Sequence, residues 1–114
     1  MINRKLQKRN ESMTLMERRL HARIPANMDA RFFYGNLFYS GTVLNLSEKG
    51  MFINTKRIFT SESMLVVLMR VDTSLLKVIA RVKRSVKSNL DNEGIGVELL
   101  SPSAAYIEFV RGLK

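Results

Sequence analysis

From Ala30 onward, apolar and polar residues alternate with a period of two, and glycine, asparagine and serine break the pattern at short intervals. That pattern belongs to strands whose two faces meet different surroundings. Phe32, Phe33 and Tyr34 run into Gly35-Asn36, and Leu37 to Leu46 resumes the β-rich pattern, which predicts a tight hairpin. Asn45 to Gly50 interrupts again; Met51 to Asn54 then reads as a short strand, and Met64 to Val71 as a buried one closed by the turn Asp72-Thr73-Ser74. Alternation is clearest next, with Val78, Ala80, Val82 and Val86 facing one way and Arg81, Lys83, Ser85 and Lys87 the other. A turn from Asn89 to Glu93 leads into Ile95, Val97 and Leu99.

Six strands so spaced predict an all-β fold with helical additions, a six-stranded antiparallel barrel, because closure removes the edges that a small open sheet would expose. The period then changes. Ser101 is the expected helix N-cap and Pro102 the first helical residue, with Ala104, Ile107 and Val110 at helical spacing, so a C-terminal helix should cover one barrel mouth. Near the start, Met13, Met16 and Leu20 share a helical stripe suited to core packing or to an adaptable contact. Residues 1–16 read as a basic N-terminal segment, flexible or helical, and residues 17–114 as the domain.

Composition fits this picture and adds a charge. A chain of 114 residues is long enough to bury one core without disulfides, and it has no cysteine. The net charge of +9 predicts attraction for anions such as nucleic acid, acidic membrane or a phosphorylated small molecule. Residues 1–23 hold seven Lys or Arg against two Glu, so the excess is concentrated at the start. No apolar run reaches the length of a membrane span, and the basic start is followed by Asn10, Glu11 and Ser12, where a signal peptide would have its apolar core. A cytoplasmic location is expected.

Catalysis is not. His21 is the lone histidine, and the ten carboxylates are scattered without metal-ligand or acid/base spacing. Gly94-Ile95-Gly96 falls in a strand, where close packing explains glycine better than phosphate binding. A non-enzymatic binding protein without metal or cofactor is the expectation.

Two short segments carry a more specific signal. Glu17-Arg18-Arg19-Leu20-His21-Ala22-Arg23-Ile24-Pro25 contains Arg-x-x-x-Arg from Arg19 to Arg23, with Pro25 favouring extended backbone at its end. Asn45-Leu46-Ser47-Glu48-Lys49-Gly50 follows one hairpin later. In that order and separation the two resemble the signature of the PilZ domain family, with Asn45 in place of the commoner Asp and Met51 where many relatives have a second glycine. The resemblance covers nearly all of residues 17–113, and Gly94 to Glu98 looks like the family's last strand. It implies a six-stranded barrel with a C-terminal helix that binds cyclic di-GMP through Arg18, Arg19, Arg23, Asn45, Ser47 and Gly50. It also implies that Arg18, just before the motif, goes with two intercalated ligand molecules, and that an effector protein in motility, exopolysaccharide or virulence machinery receives the signal.

The residue chemistry suits that ligand. Guanidinium forks match phosphates, and the O6 and N7 edge of guanine accepts two bonds from one arginine while another stacks on the base. Asn45 and Ser47 offer an amide and a hydroxyl, and Gly50 lets backbone approach without a Cβ. Asn-x-Ser-x-x-Gly is also an ordinary turn closed by side-chain to backbone bonds. Two other functions stay open: a nucleotide-independent protein adaptor, and a basic barrel that stacks single-stranded nucleic acid on Phe32, Phe33, Tyr34, Phe38 and Tyr39. The second requires several of those rings on one exposed face, so exposure of at least two of them would favour it.

Overall fold

The computed structural model describes residues 22–87 and 93–113. Six strands, β1 (Ile24–Tyr34), β2 (Leu37–Leu46), β3 (Gly50–Asn54), β4 (Met64–Val71), β5 (Ser74–Val86) and β6 (Gly94–Leu100), precede one helix, α1 (Ala104–Gly112). They close into a barrel in the order β1-β2-β3-β6-β5-β4, every neighbouring pair antiparallel. The first three strands form one meander and the last three another. Two seams, β3 with β6 and β1 with β4, join them.

The period of two builds the core. Phe32, Val43, Ile53, Val67, Val82 and Val97, one from each strand, are buried inside the barrel, each worth about 1.5–3 kcal/mol relative to exposure. The hairpin at Gly35-Asn36 forms as expected, with Tyr34 opposite Leu37. Phe59, from the connection between β3 and β4, plugs one end, packing edge-on against Phe32, Tyr34 and Tyr39.

Expectations for one strand and for the helix are corrected. The apolar run Met64 to Val71 is not buried on both faces: Leu65, Val67 and Met69 point inward, whereas Val66 and Leu68 are half-buried and Met64 is exposed. An uninterrupted apolar strand records what its outer face carries, not that something covers it. At the other end, Ser103, not Ser101, caps the helix, its Oγ accepting the Tyr106 N–H at 3.2 Å. Ser101 instead takes a left-handed turn (φ 49°) that leads the chain off β6, a conformation unlike the extended backbone of an N-cap. The buried pair on α1 is Tyr106 and Val110, spaced i, i+4, while Ala104 is exposed and Ile107 half-buried.

Three register shifts interrupt the ladders. They fall between Pro25 and Met28 on β1, between Val43 and Asn45 on β2, and between Val82 and Arg84 on β5. An extra residue reverses the inward and outward sense of everything after it. The expectation that Val86 faces the core with Val82, and Ser85 faces away, is therefore overturned. Past the bulge at Lys83, Ser85 turns toward Phe59, its Oγ donating to the Phe59 carbonyl at 2.9 Å, and Val86 lines an outer groove.

Candidate functional site

The chain enters β1 through Arg23. Its Nη1 donates to Asn45 Oδ1 at 3.0 Å, joining the end of the arginine motif to the start of the second motif. The bulge on β2 makes this possible: Val43 and Leu46 are both buried, so Leu44 and Asn45 between them face out. The Asn45 amide nitrogen has no hydrogen-bond partner among the described residues.

Ser47 is almost fully buried, and its Oγ accepts the backbone N–H groups of Gly50 at 3.2 Å and Lys49 at 3.3 Å. The Ser47 N–H donates to the Gly50 carbonyl at 2.8 Å. The hydroxyl is thus engaged in building the turn between β2 and β3. Gly50 has no room for a side chain: a Cβ there would stand 2.7 Å from the Val97 carbonyl oxygen and 3.2 Å from Arg23 Nη2. The Arg23 guanidinium lies against the backbone at the place where glycine stands.

Helix α1 braces this turn from behind. Tyr106 Oη donates to the Ser47 carbonyl at 2.7 Å, in the interior. Arg111 forks onto Glu48 with Nε to Oε2 at 3.2 Å and Nη2 to Oε1 at 3.3 Å. The Leu99 N–H donates to the Lys49 carbonyl at 2.8 Å, extending the seam between β3 and β6 past Gly50. Burial pushes the Tyr106 phenol well above its ordinary range, so it stays a neutral donor.

Arg84 of β5 completes the arrangement, and no motif flags it. It lies across Gly96, where a Cβ would meet its Nε at 3.1 Å and its Cγ at 3.2 Å. Arg23 and Arg84 together border two adjoining hollows, one of about 710 Å³ reaching Ser47, Gly50 and Ser101, the other of about 370 Å³ reaching Asn45, Phe52 and Val86. Partial desolvation first, and then the positive charge of Arg84, lower the pKa of Arg23, while Tyr106 raises it. Two guanidiniums facing one water-accessible hollow form a site that favours an anion. The signal for Arg84 was present in the sequence, because strict alternation from Val78, Ala80 and Val82 puts it in the core, where an unpaired charge cannot stay.

Of the expected site residues, Arg23, Asn45, Ser47 and Gly50 come together. Arg18, Arg19 and His21, with the N-terminal stripe of Met13, Met16 and Leu20, lie outside the described residues. Among the described residues, no group of three or more His, Asp or Glu is placed to hold a metal, and no helix is long and apolar enough to cross a membrane.

Fold and site together define a small closed barrel with an arginine-bordered mouth. The chain belongs to the PilZ domain family, whose model matches residues 17–113; domains of this kind are binding modules. No curated protein sequence matches it. Among solved structures the barrel is similar to the Bacillus subtilis inhibitor of motility MotI/DgrA, with a TM-score of 0.66 at 15% identity over 79% of this chain and 46% of that one. It is also similar to the PilZ domain of CeSA from a cellulose-synthesizing bacterium, with a TM-score of 0.59 at 22% identity over 80% of this chain and 96% of that one. The chain spans just under half the length of the motility inhibitor.

Proposed function

We propose that this chain is a cytoplasmic receptor for cyclic di-GMP that binds the nucleotide without turning it over and without a cofactor. The observation that carries the reading is the convergence of Arg23 and Arg84 on one hollow, each lying over a glycine, with the Asn45 amide beside them. Guanidinium forks suit the two phosphates, the flat guanidinium faces suit guanine stacking, and the Asn45 amide nitrogen is available to a base or ribose oxygen. Ser47 and Gly50 serve mainly by fixing the turn. Arg18 and Arg19 add guanidiniums from the segment that leads into Arg23, and Arg18 provides for a second, intercalated ligand molecule. Neutralising these charges orders the arginine loop against the barrel and creates a composite surface for an effector protein. Motility and polysaccharide synthesis are the output classes suggested by the names of the two structural relatives.

A nucleotide-independent adaptor is the second reading, favoured by the Ser47 hydroxyl being engaged within its own turn. The nucleic-acid reading meets its exposure criterion with two rings, but they do not share a face. Phe38 and Tyr34 are 49% and 40% exposed, but Phe38 packs on Phe33 and Tyr34 on Phe59, on opposite faces of the hairpin. Isothermal titration decides among the three. Cyclic di-GMP should bind where GTP and a short DNA strand do not, with two molecules per chain, falling toward one in Arg18→Leu. Absence of heat with cyclic di-GMP leaves the adaptor, and preference for DNA leaves the nucleic-acid barrel.

A further inference from the structure

We infer that the outer face of β1, β2, β4 and β5, remote from the arginine-bordered mouth, is a docking surface for an acidic amphipathic helix of a partner protein. On this face an apolar row runs across the strands. Phe38 stands opposite Phe33, their rings 4.5 Å apart and edge-on, Phe33 opposite Val66, and Val66 opposite Ile79. Met64 and Leu75 flank the row and are 47% and 61% exposed. Isolated exposed apolar side chains are ordinary, whereas a contiguous row of them is often functional.

Three observations select the occupant. The barrel is closed, so no strand edge is free to accept an extra strand, and a partner must dock through side chains. Beside the row lies a concave hollow of about 860 Å³ between Phe38, Leu68 and Leu75, with its floor kept low by Ala30, Ser40 and Gly41. A flat bilayer does not enter a concavity, whereas the side chains along one face of a helix can. The charged rim is mostly basic: Arg31, held 5.4 Å over the Phe38 ring, and Arg70 border the hollow, Lys77 stands opposite Leu68, and Asp29 is the one carboxylate beside them. Neither arginine has a carboxylate within ion-pair distance among the described residues. A second copy of this chain would set like charges against each other, whereas a helix with carboxylates flanking its apolar stripe would pair with them. The row spans four strands, about 14 Å at the usual strand spacing, which matches roughly ten residues of helix.

The probes are two 16-residue helical peptides with the same leucine stripe, one with glutamate and one with lysine on its polar face, titrated by fluorescence anisotropy against the full chain. The acidic peptide should bind at least tenfold more tightly. Phe38→Ser and Leu75→Ser, both at exposed positions, should each weaken it at least fivefold, and Arg31→Glu with Arg70→Glu should reverse the preference, while cyclic di-GMP titrations of all these variants stay as in the wild type. Equal binding of both peptides, or insensitivity to these substitutions, overturns the proposal. So does a concentration-dependent dimer in sedimentation that Leu75→Ser abolishes, which would assign the face to a second copy. Flotation with phosphatidylglycerol vesicles, lost in the same variants, would assign it to a membrane and overturn the proposal as well.

Discussion

Arg23 is held partly out of water and faces the positive charge of Arg84, both of which lower its pKa, and an arrangement of that kind is a cost to the free protein that an anion removes. Arg84→Ala should therefore separate stability from affinity. Its melting temperature should stay level or rise, while cyclic di-GMP binding weakens by about 10- to 100-fold, the loss of about 1.5–3 kcal/mol expected of a charge-assisted bond. A parallel fall in both quantities would make Arg84 a structural residue. Arg23→Ala should lose affinity on the same scale. The two glycines beneath these arginines behave differently. A methyl at Gly50 meets the Val97 backbone, which cannot move aside, so Gly50→Ala should cost about 1–3 kcal/mol of stability. A methyl at Gly96 meets only the flexible Arg84 side chain, so Gly96→Ala should unfold much like the wild type yet bind ligand more weakly. Chemical denaturation and ligand titration of the two variants check this contrast.

Helix α1 acts on the signature turn through two contacts, one buried and one at the surface. Tyr106→Phe keeps the ring and strands the Ser47 carbonyl, so stability should fall by about 1–2 kcal/mol. Its pH dependence carries a sign. The folded-state pKa of Tyr106 is raised, so the stability it contributes is fully present below its ordinary value near 10 and drains away as pH climbs beyond that. Melting curves from pH 8 to 11 should show the wild type losing its advantage over Tyr106→Phe above pH 10. The bulges are the other element-scale device. Deleting Lys83 would remove the extra residue and set Arg84 directly after inward-facing Val82, still facing out opposite Gly96, so chemical denaturation of that variant should remain cooperative, with a small loss from the Lys83–Glu62 ion pair. Most of the architecture was legible because period-two patterning records which face of a strand is wet. The helix was legible, but neither its cap nor its full buried face was: Ser101 and Ser103 are the same residue type and only the turn after β6 distinguishes them, and Tyr106 takes the core position expected of Ala104 and Ile107. Arg23, Asn45, Ser47 and Gly50 were legible as paired motifs. For Arg84 the alternation through Val78, Ala80 and Val82 signals that a bulge is needed, since a charge cannot stay in the core, but where the bulge falls depends on the register of two strands, which no single strand's sequence states.

For the whole molecule, a charge of +9 makes ligand capture sensitive to salt. Affinity for cyclic di-GMP should fall several-fold between 50 and 500 mM NaCl, and an unchanged value would mean that stacking and neutral hydrogen bonds dominate. Hydrogen exchange should show ligand-induced protection around residues 10–25 and 45–50, with little change from Met64 to Leu99. Uniform protection would point to a tightening of the barrel itself. The seam between β3 and β6 has a consequence for the order in which the molecule assembles. Each meander can form from neighbours in sequence, but the seams bring together residues some forty positions apart, the slow kind of contact in folding. Arg23, Asn45, Ser47 and Gly50 belong to one meander and Arg84 and Gly96 to the other, so the mouth does not exist until the seam has closed. A nucleotide that recognises both halves has nothing to hold on a half-assembled chain. It should leave the refolding rate almost untouched and slow unfolding in proportion to its concentration, acting as a latch on the finished barrel.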